Sequence, residues 1–333
     1  MAAPAAAETL RIATYSPALT RKGPGLLLRD ISKGNDAQIA AVVEVIASAR
    51  PDILLLTSFD WDHEGLALEA FAELLSKRGL TYPHRLAPMP NRGLPTGLDL
   101  DGDGRLGSPD DAQGFGLFRG QGGMALLSNR PLGALRDHSD ALWRDQPGNL
   151  MPPDTPTEVA TVQRLSSSGH WDVSLNVGDE TLHLLAFAAA PPAFDGPAQR
   201  NTRRNADEIA FWTRYDPGGP FVILGKVNMD PFDGGGRHEA IRALLERVTD
   251  PLPRSEGAAA AAHDPKQQGN PAFDTAEWPQ EGGPGNLRVD YVLPSPDLKV
   301  SDAGVVWPAE GPLAEAARAA SAHRLVWVDI EVD

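Results

Sequence analysis

The chain has 333 residues, 41% of them hydrophobic, which is ample for a sizeable core, and no run approaches the ~20 apolar residues of a membrane span. Its formal net charge of −15 gives an averaged field that repels phosphate backbones, whose binding rests on lysine and arginine clusters, so nucleic acid is set aside as a partner. With no cysteine, disulfides, thiolate catalysis and cysteine-ligated zinc are excluded.

The start, "MAAPAAAETLRI", has neither a charged n-region nor an apolar h-region, but its alanine-rich beginning resembles the flank left by signal cleavage. Residues 1–9 are therefore expected to be a disordered tail or cleavage remnant, and the protein periplasmic or extracellular, with a cytoplasmic location as the alternative. Leu10 to Tyr15 reads as a short strand, followed by a Pro/Gly/Lys loop to Lys33. Asn35 is placed to cap a helix whose Ile39, Val42, Val43 and Ile46 keep a 3.6-residue stripe until Arg50-Pro51. Asp52 to Thr57 is a continuous apolar strand of the kind buried on both faces. Leu66 to Lys77 makes an amphipathic helix, with Gly79 placed to end it.

Strands are predicted at Gly123 to Leu127, Glu158 to Arg164, Trp171 to Val177 and Thr181 to Phe187. Helices at Arg203 to Tyr215 and His238 to Val248 bracket a buried strand at Phe221 to Leu224. Arg288 to Leu293, Ala303 to Val306 and Leu325 to Glu331 close the chain as strands. The glycine- and proline-rich segments Pro88 to Gly122 and Pro251 to Asn286 are loops long enough to carry function or a bound ion. "RNTRRN", Arg200 to Asn205, is expected to make surface or loop contacts. Many strands with a few helices between them imply two sheets packed face to face with helices outside, one domain over 10–333.

"DLDGDGRLGSPD" has the spacing of a calcium loop: Asp99, Asp101 and Asp103 supply carboxylates, Gly104 the sharp turn, Arg105 a carbonyl and Asp110 the twelfth position. Three aspartates this close repel one another unless something positive sits among them, which points to a structural Ca²⁺. The alternative is a solvated acidic turn.

The ordered stretches "LRIATYSP", "RPDILLLTSFDWD", "TGLDLDGDG", "DAQGFGLFRGQGGMALLS", "PPAFDG", "ILGKVNMDP", "GNLRVDYVLPS" and "SAHRLVWVD" resemble a bacterial branch of the endonuclease/exonuclease/phosphatase superfamily, the deoxyribonuclease I-like fold, over residues 10–332. The resemblance implies an α/β four-layer sandwich (αββα) of two packed, mostly antiparallel sheets with outer helices, and a cleft in which Mg²⁺ or a similar ion supports phosphoester hydrolysis. It also implies polar or anionic residues at five positions where this chain departs. A phosphate-holding asparagine is replaced by Ser16, a metal-binding glutamate by Ser58, a phosphate-contacting histidine by Ala188, the aspartate of Gly-Asp-x-Asn by Lys226 and the aspartate of Ser-Asp-His by Ala322. Asn228, Asp290 and His323 match, and the last two are implied to pair so that the carboxylate orients the imidazole.

These substitutions predict a catalytically degenerate protein acting as a binding or assembly module toward a protein partner, with Mg²⁺ not expected at the altered site. General-base catalysis by a surviving dyad gives only ~10²- to 10⁴-fold, whereas phosphoester hydrolysis needs on the order of 10¹⁷-fold, mostly from metal and preorganised charge. Lys226 is expected to replace the ion by pairing with Asp290; the rival reading is that it helps hold an anion such as phosphate. The enzymatic alternative is a metal-dependent or metal-poor phosphoesterase built on Asp290, His323 and Lys226.

Overall fold

In the computed structural model, residues 8–178 and 180–332 are described, so the expected tail lies outside them up to residue 7, while Glu8 and Thr9 already belong to the first strand. Among the described residues, eleven strands form two sheets. The first has the order β10-β11-β1-β2-β4-β3, built from Val300–Val305, Val326–Val332, Glu8–Tyr15, Ile53–Phe59, Gly123–Ser128 and His84–Leu86. The second has the order β5-β6-β7-β8-β9, from Leu132–Asp137, His170–Val177, Glu180–Ala188, Phe221–Lys226 and Asp290–Pro294. Only β1/β2 and β7/β8 pair in parallel; every other pairing is antiparallel.

The inner faces meet in a dry layer that includes Leu10, Ile12, Ile53, Leu55, Leu126, Val173, Leu184, Val222, Val292 and Val328. Alternate residues of the same strands turn outward to the helices, as the two-residue period of a strand requires. Leu54 and Leu56 of β2 pack under α1 (Leu26–Lys33), α2 (Ala37–Ala49), α3 (Leu66–Ser76) and α8 (Pro312–Ala320). Ile223 of β8 and Leu185 of β7 pack under α5 (Arg200–Arg214) and α6 (His238–Leu245). The result is helix, sheet, sheet, helix: the four-layer sandwich. Each fully buried Leu or Ile on β2 contributes about 1.5–3 kcal/mol, which is why an unbroken apolar run becomes a central strand.

Several expectations are corrected. The helix after the first strand is capped by Asp36, whose carboxylate accepts from the Ile39 amide, and not by Asn35. The supposed loop before it contains α1, bounded by Gly25 and Gly34 in the left-handed region. Glu158 to Arg164 is no strand: Thr157–Ala160 is a helical turn (α4) and Arg164 makes a lone bridge to Leu142. In "RNTRRN" the loop contacts are made from inside: Arg204 is buried and donates to the carbonyls of Gln113, Arg164, Leu165 and Ser166, tying the 88–122 loop and the 164–166 segment to α5. The Pro251 to Asn286 loop holds one short helix, α7 (Glu256–Ala260).

Candidate functional site

Parallel pairing sets the site's position. Because β1 and β2 run together, as do β7 and β8, their C-terminal ends emerge at one rim of the sandwich. Ser16, Ser58, Ala188 and Lys226 follow or end those strands, and Lys226 stands directly opposite Asp290, the first residue of β9. Close approach is needed here. Gly225 has φ 145° and a Cβ on it would lie 1.8 Å from the Phe187 carbonyl, so only glycine lets β8 pass. Ser58 and Asn228 both adopt φ 56°, an uncommon conformation for residues with side chains and one that collects at functional sites.

The structure brings together Ser16, Ser58, Lys226, Asp290 and His323. His323 Nδ1 lies 2.7 Å from Asp290 Oδ2, the dyad the resemblance implied, and its Nε2 has no hydrogen-bond partner among the described residues. The ring is further fixed by Trp278, edge-on at 5.1 Å. Thr275, from the long 251–286 loop, supports the carboxylate: its Oγ1 accepts from the amides of Val289 and Asp290 and lies 3.4 Å from Asp290 Oδ2. Ser321 ties the far side down, accepting from the His323 amide and donating to the Ser16 carbonyl at 2.7 Å. Nothing in the residue pattern singles out Thr275 or Trp278; both come from a loop whose path no periodicity reveals. Ala322 contributes only its carbonyl, which accepts from the Glu277 amide, and Ala188 presents a methyl.

Lys226 departs from expectation. Its Nζ donates to Ser58 Oγ at 2.9 Å, and Ser58 Oγ lies 3.2 Å from Ser16 Oγ, while no ion pair joins it to Asp290 among the described residues. Antiparallel pairing explains the divergence: facing Cα positions do not fix a long, flexible side chain, and the hydroxyl ended within reach. Burial first and the nearby charge of Arg92 second push the ammonium down to about 8, with Asp290 opposing both. Asn228 does not reach into this cluster with its amide nitrogen, which donates to the Ala189 carbonyl.

A divalent ion does not fit this donor set. Mg²⁺ requires near-octahedral oxygen donors at about 2.0–2.1 Å. β2 ends in a hydroxyl, β8 delivers an ammonium, and the one buried carboxylate oxygen lacking a partner, Asp290 Oδ1, is a single donor beside that positive charge.

The acidic loop is elsewhere. Asp99, Asp101 and Asp103 offer carboxylate oxygens all within 4.8 Å of one another. Asp110 is not part of that group, and the neighbouring Asp111 turns inward to accept from the amides of Leu100 and Ser108. Arg105 donates its amide to Asp103. The Asp101 carboxyl is held above its ordinary value by local desolvation and by Asp103 and Asp99. Burial lowers the Arg200 guanidinium, and the charges of Asp110, Asp101, Asp111 and Asp195 oppose that only in part.

Residues 29–323 match the endonuclease/exonuclease/phosphatase family. The fold is similar to that of an endonuclease/exonuclease/phosphatase from Beutenbergia cavernae DSM 12333, at 17% identity and TM-score 0.58, covering 97% of this chain and 72% of that one. It is also similar to an endonuclease/exonuclease/phosphatase family protein from Leptotrichia buccalis C-1013-b, at 14% identity and TM-score 0.56, covering 97% and 99%. A third neighbour is sphingomyelinase C from Streptomyces griseocarneus, at 16% identity and TM-score 0.50, covering 97% and 99%. No curated protein matches the sequence.

Proposed function

The chain belongs to the endonuclease/exonuclease/phosphatase family, and we propose that it is a member that no longer hydrolyses phosphoesters and serves instead as a binding or assembly module. The observation that carries this reading is the ammonium of Lys226 lodged 2.9 Å from Ser58 Oγ, where two strand ends converge. A fixed cation there repels a divalent ion, and the hydroxyls of Ser16 and Ser58 offer it no compensating charge. What is left is a histidine base oriented by a carboxylate, worth ~10²- to 10⁴-fold, far short of what the reaction requires. The purified protein is expected to release no product from nitrophenyl phosphate, a nitrophenyl phosphodiester or plasmid DNA with Mg²⁺, Mn²⁺ or Ca²⁺. Turnover above that of a heat-denatured control refutes it.

The 2.7 Å Asp290–His323 contact, with Nε2 free, favours a second reading: a metal-poor phosphoesterase. Under it His323→Ala abolishes a measurable activity, and an unchanged rate ends the idea. We also propose that the loop carrying Asp99, Asp101 and Asp103 takes a structural Ca²⁺, that the protein works outside the cytoplasm, and that its partner is another protein. Affinity capture of the tagged chain from its host tests the last point, since recovery of the chain alone counts against an assembly role.

A further inference from the structure

Lys226 is not the lone cation at the strand ends. Arg92, at the start of the long loop before β4, packs its guanidinium against Gly122: a Cβ on that glycine would lie 3.2 Å from Arg92 Nε. Gly122 precedes Gly123, which pairs with Phe59 beside the irregularity in β2 that holds Ser58. Arg92 thus lies near the end of β2 that carries Ser58, and its charge lowers the Lys226 ammonium.

Neither cation has an acidic partner within ion-pair distance among the described residues. Arg92 uses Nε on the Gln121 carbonyl, and its two Nη atoms make no hydrogen bond among the described residues. The nearest carboxylate that acts on it, Asp60, is occupied by the amides of Arg21 and Gly122. Asp290 points its bonded oxygen at His323 and Thr275. Two neighbouring cations whose burial is offset only in part by Asp60 and Asp290 are costly, and a chain of net charge −15 has carboxylates enough to neutralise them elsewhere. Such a pair persists where an anion completes it. The donors also suit a tetrahedral oxyanion: a guanidinium edge, an ammonium with spare protons, and the hydroxyls of Ser16 and Ser58 3.2 Å apart.

We infer that Lys226, Arg92, Ser16 and Ser58 form an oxyanion site that holds a phosphate dianion, free or as the terminal group of a phosphomonoester, in the position where relatives would need a metal. The inference rests on reading the cleft as hydrolytically silent. A doubly charged phosphate neutralises both cations, whereas a phosphodiester leaves one uncompensated, so the dianion is the preferred ligand.

The test is calorimetric titration of the full chain with inorganic phosphate and, separately, dimethyl phosphate at constant ionic strength and pH 7, beside Lys226→Met and Arg92→Gln. Saturable binding of inorganic phosphate is expected, about tenfold or more weaker in each variant and weaker for dimethyl phosphate. Circular dichroism confirms that each variant is folded, and Lys226→Met stands alone should Arg92→Gln fail. Heat that does not saturate, or that is equal in wild type and Lys226→Met, overturns the site. A parallel nitrophenyl phosphate assay separates the two claims: absent binding without turnover removes the oxyanion site only, while turnover removes the silent-cleft reading.

Discussion

Replacing Lys226 by methionine should stabilise the protein near neutral pH, in phosphate-free buffer. Burial lowers the ammonium from 10.5 to about 8. The folded state therefore gives up this proton earlier than the unfolded chain, which binds more protons between pH 8 and 10.5. The charge thus costs stability in full below pH 8, and the cost fades as pH rises through that window. A difference of 2.5 pKa units corresponds to roughly 3 kcal/mol at pH 7 and falls below about 1 kcal/mol at pH 10. Against this, the variant loses the bond to Ser58 Oγ, worth about 0.5–1.5 kcal/mol, while methionine retains most of the stem's packing. Lys226→Met should gain about 1.5–2.5 kcal/mol at pH 7 and roughly nothing at pH 10, read from guanidinium midpoints at both values. A loss at pH 7 that shrinks at pH 10 would refute the reasoning, because it means that the ammonium stabilises the fold as a counter-charge for Asp290.

Three further outcomes follow from the geometry. Gly225→Ala forces a side chain into φ 145° and onto the Phe187 carbonyl, and should cost on the order of 3 kcal/mol or more; a midpoint within experimental error of wild type contradicts the β7/β8 pairing. His170, stacked on Trp212 and fully buried, is driven down to about 3, so the unfolded chain binds its proton first and stability drains as pH falls from 6.5 toward 3, by at most about 4–5 kcal/mol. Asp60 and Asp274, raised by burial to about 6 and about 7, work the other way, and for that reason the comparison is between wild type and His170→Phe: the variant's acid limb should be flatter in tryptophan fluorescence, and parallel limbs discount the linkage. Millimolar Ca²⁺ should raise the thermal midpoint saturably, with affinity near 10⁻⁴–10⁻³ M, and Asp101→Asn with Asp103→Asn should remove the effect; a shift that survives the double substitution disposes of the loop as its source.

The layers were legible because both periods are clean. β2 opens on the unbroken apolar run Ile53 to Leu56 and α2 keeps its buried stripe, so both read as core-facing elements of a two-sheet sandwich. Misreadings fell where a local signal was absent or ambiguous. α1 begins after Gly25 in a stretch whose glycines and prolines look like loop, and its ends are set by left-handed glycines with no side-chain cap to mark its start. Thr157–Ala160 carries β-type residues, yet a single helical turn satisfies its amides while Arg164 is drawn into the Arg204 staple. For Arg204 loop contacts were legible but its burial was not, because nothing local shows that four loop carbonyls will converge on it.

The site was legible to the level of which residues meet, and no further. The resemblance implied that Ser16, Ser58, Lys226 and Asp290 share one cleft, and strand ends fix their backbone positions at one rim. Where a flexible side chain goes is decided by competition among its reachable partners, and that competition depends on residues far away in sequence. Asp290 is already engaged by His323, at a separation of 33 residues, and by Thr275; Arg92 adds positive charge on the other side; Ser58, turned by its positive φ, offers the nearest oxygen. An ammonium that merely replaced a metal would have closed onto the carboxylate. That it bonds to a neutral hydroxyl, with a second cation near the same strand end and no ion pair to either among the described residues, leaves the cleft electrostatically incomplete, and the proposed oxyanion site rests on this incompleteness more than on the loss of ligands.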